Sequence, residues 1–145
     1  MGSTVAARLF PTEKQNSFAM STTTTHPSVE EVARDLVALC QANRWEEAAE
    51  KYYADNIVSV EAAGPDREAV GLAAVKAKSQ WWFENHAVHS AKVEGPFLGD
   101  GKFVVRFAID VTFKPTGLRR VMDELGLYTV VDGKVTHEQF FYNAQ

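Results

Sequence analysis

The sequence predicts an α+β fold in which a curved sheet wraps around helices and leaves a cavity at its open end. Two observations carry that expectation. From Ser28 the chain reads as two helices, a strand and a third helix, whereas the last third reads as a meander of long strands, FVVRFAIDVTFK, LRRVMDELGLYTVV and VTHEQFFYNA. Side chains repeat every two residues along a strand, so Met122, Glu124, Gly126, Tyr128 and Val130 share a face, as do Glu138, Phe140 and Tyr142. Such a mixed face is too polar for a plain core and too apolar for open water. It suits the wall of a small-molecule pocket.

Taken in order, residues 1–27 show no sustained period, contain a Ser/Thr run and read as a flexible N-terminal tail or extension. A single domain is expected over 28–145. Ser28 and Glu31 have capping-box spacing, and Val29, Val32, Ala33, Leu36, Val37, Leu39 and Cys40 follow at helical spacing. After the break QANR, a second helix is expected from Trp45 to Tyr53, ended by Asp55–Asn56. Ile57, Val58 and Val60 then form a strand that stops in Ala-Gly-Pro-Asp. Gly71 precedes a third helix with Leu72, Val75, Trp82 and Phe83 on its apolar positions. A strand near Val88–Glu94, a turn at Gly95–Pro96 and a loop at Gly99–Gly101 lead into the long strands. Asp132-Gly133 predicts a two-residue hairpin, because both residues readily take the positive φ of a type I′ turn.

Composition narrows the partners. The 145 residues are enough for one core, and 46% of them are hydrophobic. A net charge of −4 with scattered Lys and Arg argues against nucleic acid, which needs a concentrated basic surface. No apolar run approaches the roughly 20 residues that span a bilayer, so no membrane partner is expected and a cytoplasmic location is the default. Cys40 is the only cysteine, which excludes an intramolecular disulfide and a cysteine-rich metal site. Glu84 and His89 span a helix end, so no metal site is expected either.

Several separated motifs then agree in order. Tyr52-Tyr53-Ala54-Asp55-Asn56-Ile57-Val58-Ser59-Val60-Glu61, Gly71, Trp81-Trp82, Lys114-x-Thr-Gly117, Met122-x-Glu124, Tyr128-Thr-Val-x-Asp-Gly-Lys134 and Glu138-x-Phe-Phe-Tyr142 resemble the SnoaL-like branch of the NTF2-like superfamily over roughly residues 28–143. The resemblance implies a cone of three helices packed on a curved, mixed or antiparallel sheet. It leaves the activity open, since isomerases, dehydratases, epoxide hydrolases, cyclases and binding proteins share the scaffold. The related ketosteroid isomerases place an Asp base where this chain has Ala62, an oxyanion Tyr near Leu36 and a late acid near Gly126. That pattern does not fit. Limonene-epoxide-hydrolase-like enzymes need Arg and Asp two apart on a strand, but Arg106–Asp110 and Arg120–Asp123 are spaced otherwise. Scytalone-dehydratase-like sites use paired His with Tyr and Asp; His86, His89, Tyr53 and Asp55 supply the residue types without the pattern. SnoaL-like cyclases imply only one pocket carboxylate as general acid/base, with no cofactor.

Three carboxylates are therefore the catalytic candidates. Glu124 shares a face with Met122 and Tyr128, where apolar walls raise a carboxyl pKa toward neutrality. Glu138 lies with Phe140 and Tyr142 on one face; placed near Glu124 it would share a proton with it as a coupled acid, and placed otherwise one of the two is an exposed rim residue. Glu61 ends the first strand; alternation with Val58 and Val60 turns it outward unless a bulge turns it back. Trp82, His89, Met122, Tyr128, Phe140 and Tyr142 are the expected ligand contacts, with Trp81 packing elsewhere. Three functions stay open: a cofactor-free isomerase, cyclase or lyase acting on a small apolar or aromatic carbonyl compound, a binding module with the same pocket, and a structural homodimer. The dimer would form through the outer sheet face, where Val121, Leu125, Leu127 and Val131 alternate with the pocket residues.

Overall fold

A computed structural model describes residues 25–143. The tail expected over residues 1–27 thus lies mostly outside the described residues. Three helices, α1 (Val29–Gln41), α2 (Trp45–Tyr52) and α3 (Leu72–Asn85), pack on a six-stranded sheet. Its strands are β1 (Tyr53–Val60), β2 (Glu68–Val70), β3 (His86–Leu98), β4 (Lys102–Phe113), β5 (Leu118–Val131) and β6 (Lys134–Phe141). The order across the sheet is β2-β1-β6-β5-β4-β3. All neighbours run antiparallel except β1 and β6, which pair in parallel and join the N-terminal half of the domain to the meander.

Local chemistry accounts for α1. Ser28 Oγ accepts from the Glu31 amide at 3.1 Å, satisfying one of the free donors of the first turn. Val32, Ala33, Leu36 and Val37 then cover the inner sheet face, where Phe103, Val105 and Val135 are at most 1% exposed. Each buried Val, Leu or Phe side chain of this set stabilises the fold by roughly 1.5–3 kcal/mol. Cys40 joins this core, and burial pushes its thiol up to about 12, so it stays protonated.

Three boundaries differ from expectation. Helix α2 stops at Tyr52, and Tyr53 (φ −77°, ψ 130°) already begins β1. Asp55 and Asn56 sit exposed inside that strand, beside a register shift between Tyr53 and Val58, because Tyr53 is drawn to β6 by tertiary contacts that helical spacing does not report. Strand β3 runs through Gly95–Pro96 to Leu98; a register shift between Glu94 and Phe97 absorbs the proline, so no turn forms there. Strand β2 has three residues, too few to show a period.

Register sets the site. Ser59 pairs with Glu138, Glu138 with Tyr128, and Tyr128 with Phe103, one row across four strands. On the opposite face Val121 is 65% exposed and Leu125 43%, with Arg106–Asp123 and Arg119–Asp110 ion pairs between them. The hairpin is as expected: Asp132 and Gly133 have φ of 50° and 76°. A Cβ at Gly133 would also stand 2.7 Å from Pro27 Cδ. Gly133→Ala should therefore lose about 1–3 kcal/mol of stability, read as a lower urea midpoint. An unchanged midpoint would mean that Pro27 and the turn yield freely.

Candidate functional site

The inner sheet face, α2 and α3 enclose a cavity of about 1490 Å³, open at one side. Its deepest acid is Glu138, 3% exposed on the central strand β6. The Tyr53 hydroxyl donates to both of its oxygens, at 2.7 and 3.2 Å. Ser59, its row neighbour, lies beside it and helps to hold its pKa down. Burial nevertheless dominates and raises the Glu138 carboxyl to about 7, against the pull of Tyr53, Lys78 and Ser59.

Glu124 lies on β5, half-buried between Met122 and Gly126, and has no hydrogen-bond partner among the described residues. Burial likewise raises it to about 7; the Glu61 charge adds to the rise, and Lys78 opposes it. An acid with no partner, titrating near neutrality and facing a cavity, can both take and return a proton. Glu138 is tethered; Glu124 is free to meet a ligand.

Glu61 points inward, with regular pairing from Val58 to Val60 before it. The buried residues of β1 are Ile57 and Ser59, so alternation carries Glu61 to the same face, and Val58 and Val60 are the half-buried set. Lys78 Nζ on α3 donates to Glu61 at 2.8 Å and to Ser59 Oγ at 2.6 Å, and lies 5.5 Å from the centre of the Phe140 ring. Tyr142 donates to the other Glu61 oxygen at 3.1 Å. Hydrogen bonds thus link Tyr142, Glu61, Lys78 and Ser59, and a separate pair joins Tyr53 to Glu138, the row neighbour of Ser59.

Tyr128 is 3% exposed, stacks on Phe103 at 4.9 Å and lines the cavity, and its hydroxyl has no partner among the described residues. Burial holds its proton well above the ordinary tyrosine range, so it remains a donor. The absent side chain at Gly126 makes room for this ring: a Cβ there would lie 2.9 Å from Tyr128 Cε2 and 3.2 Å from Phe107.

Glu61, Trp82, Met122, Glu124, Tyr128, Glu138, Phe140 and Tyr142 all line one cavity. His89 does not. It is exposed and bonds Thr112 Oγ1 at 2.8 Å; a register shift between Val88 and Ser90 leaves it without a cross-strand partner, and Val88 lines the cavity instead. Trp81 also lines the cavity, 55% exposed, while Trp82 stacks at 4.3 Å on His86, whose Nδ1 donates to the Trp82 carbonyl at 2.8 Å. Among the described residues no group of three His, Cys, Asp or Glu could hold a metal ion, and no helix is long and apolar enough to cross a membrane.

Tyr53, Ser59 and Lys78 were not among the expected site residues. Lys78 did carry a signal, since Val75, Lys78 and Trp82 share a helix face at spacings of three and four. Its charge opposes the rise at both Glu124 and Glu138. Lys78→Met should therefore move both titrations to higher pH, followed by carboxyl-carbon NMR. Unmoved titrations would show that the ammonium is not felt at these acids.

The comparisons with known proteins come to the same scaffold. A SnoaL-like domain model matches residues 27–142. A candidate SnoaL-like polyketide cyclase of Mesorhizobium loti is 49% identical with a TM-score of 0.78, over 80% of this chain and 100% of that one. A second candidate SnoaL-like polyketide cyclase, from Jannaschia sp. CCS1, is 14% identical with a TM-score of 0.64, over 82% and 91%. A candidate isomerase of Bacillus subtilis is 17% identical with a TM-score of 0.60, over 76% and 82%. These last two show the fold alone. No curated protein matches. With its family model spanning nearly the whole described chain and its three helices on an open six-stranded mixed sheet, the chain belongs to the SnoaL-like family of the NTF2-like fold.

Proposed function

We propose that this protein is a cofactor-independent enzyme that moves a proton next to the carbonyl of a small, largely apolar molecule. The carrying observation is Glu124: an unpartnered, half-buried carboxyl raised to about 7 and facing an aromatic-lined cavity. In this reading the Glu124 carboxylate takes a proton from the carbon α to the carbonyl. The C–H electron pair becomes the enolate π bond, and the charge that reaches the oxygen is met by the Tyr128 hydroxyl. Glu124 then returns the proton to the enolate, at the same or a conjugated carbon. Glu138, with Tyr53 fixed on it, is the second acid and in its protonated form a further donor. Similar folds named isomerase and polyketide cyclase support this class of chemistry.

A thermal-shift screen against ketones, hydroxy-steroids, aromatic polyketide fragments and small lactones should find stabilising ligands, since binding to the native state raises its stability by mass action. For a ligand that turns over, kcat/KM should rise as pH passes through about 7 and the base ionises. A profile without that rise would remove Glu124 from the role.

A further inference from the structure

The cavity is strongly acidic as well as aromatic. Eight carboxyl groups line it against three cationic side chains, together with nine aromatic rings. Each of the three cations is already paired: Arg44 with Glu47 at 2.6 Å, Lys76 with Glu50 at 3.6 Å and Lys78 with Glu61 at 2.8 Å. The acids left without a cation divide by depth. Glu124 and Glu138 lie inside, whereas Glu46 and Glu84 are exposed at the ends of α2 and α3 that form the mouth, and Asp66 is exposed on the loop before β2.

The mouth has a second property. Trp45 contacts Phe83 at 6.3 Å and Phe107 at 6.0 Å, and Phe83 meets Trp82 edge-on at 5.0 Å. Phe83 stays 39% exposed, so this aromatic ridge faces the opening beside Glu46 and Glu84. Aromatic faces attract a poorly hydrated cation, and carboxylates nearby strengthen the attraction in a cleft. Within the same cavity the Lys78 ammonium already rests over Phe140. Deeper in, Tyr128 is buried, but its hydroxyl opens on the cavity without a partner among the described residues and calls for a ligand atom that accepts a hydrogen bond.

We infer that the cavity takes a bipolar ligand, with its carbonyl group inside at Glu124 and Tyr128 and an organic ammonium group at the mouth, between Trp45, Phe83 and the carboxylates of Glu46 and Glu84. The carbonyl end rests on the function proposed above; the ammonium end rests on the mouth alone. A carboxylate-bearing analogue is rejected by the same acids.

Three acetophenones test this by calorimetry on the full chain: 4-(trimethylammonio)acetophenone, its uncharged isostere 4-tert-butylacetophenone, and 4-acetylbenzoate. The ammonium ketone should bind about tenfold tighter than the tert-butyl ketone, and acetylbenzoate weakest. Glu46→Gln with Glu84→Gln, both on exposed helix surface, should bring the two tighter ligands to within about twofold of each other. Equal or weaker binding of the ammonium ketone would overturn the inference while leaving the carbonyl reading standing. A preference that survives the double substitution would also overturn it, by removing the ammonium from this mouth. If none of the three binds, both readings fall.

Discussion

Glu124→Gln should abolish turnover and at the same time stabilise the protein at about pH 8. The loss in kcat should be about 10²–10⁴-fold, the usual contribution of a positioned acid or base. The stability gain follows from the pKa. Glu124 stands at about 7 in the folded state, against 4.5 for an ordinary glutamate. Between those two values the folded protein holds a proton that the unfolded chain has lost, so stability falls as pH rises through the window. Above about 7 the full cost is present, roughly 3 kcal/mol as an upper value, and below about 4.5 it is gone. Glutamine carries no such charge, so the melting temperature of the variant should exceed wild type at about pH 8, and the advantage should vanish toward about pH 4.5. Wild-type turnover would sink the assignment. Destabilisation at high pH would instead show that the carboxylate is a structural partner.

Gly126→Ala carries the second large effect. The new methyl would meet Tyr128 at 2.9 Å and Phe107 at 3.2 Å, and both rings are held in the core. The expected cost is about 1–3 kcal/mol, with turnover lowered because the Tyr128 ring must move. Tyr128→Phe separates the two consequences. It removes only the hydroxyl, so it should lower kcat by about 10²–10³-fold, as for an oxyanion donor, with far less change in melting. If Gly126→Ala melts and turns over like wild type, the ring has room to shift and the glycine is not what positions it.

Much of this architecture is legible in the chain. The Ser28 cap, the apolar stripe of α1, the Asp132-Gly133 turn and the two pocket faces of β5 and β6 each follow from a local rule: a cap, a period of 3.6, a positive φ, a period of two. What escapes local rules is what tertiary contact decides. Tyr53 reads as the end of a helix face because Trp45, Ala48, Ala49 and Tyr52 precede it, yet its hydroxyl is tied to Glu138 on a distant strand. Glu61 reads as outward because Val58 and Val60 look like the buried pair. The buried pair is Ile57 and Ser59, and the serine there is met by the Lys78 ammonium. His89 fails for another reason: a register shift between Val88 and Ser90 leaves it as the unpaired residue of β3, and nothing local in the sequence marks that irregularity. Lys78 shows the opposite lesson, a charge on an apolar helix face whose spacing was readable and whose meaning depended on the acids it would meet.

The parallel pairing of β1 with β6 also orders events in time. The hydrogen bond from Tyr53 to Glu138 closes a loop of 85 residues, and that from Tyr142 to Glu61 one of 81. Contacts so remote along the chain form late, because the entropy of closing the loop must be met before they contribute. The helices and the meander of β3, β4 and β5 need no such closure. The Tyr53–Glu138 and Tyr142–Glu61 contacts therefore wait until the first and last strands meet, whereas Glu124 and Tyr128 already share one strand of the meander.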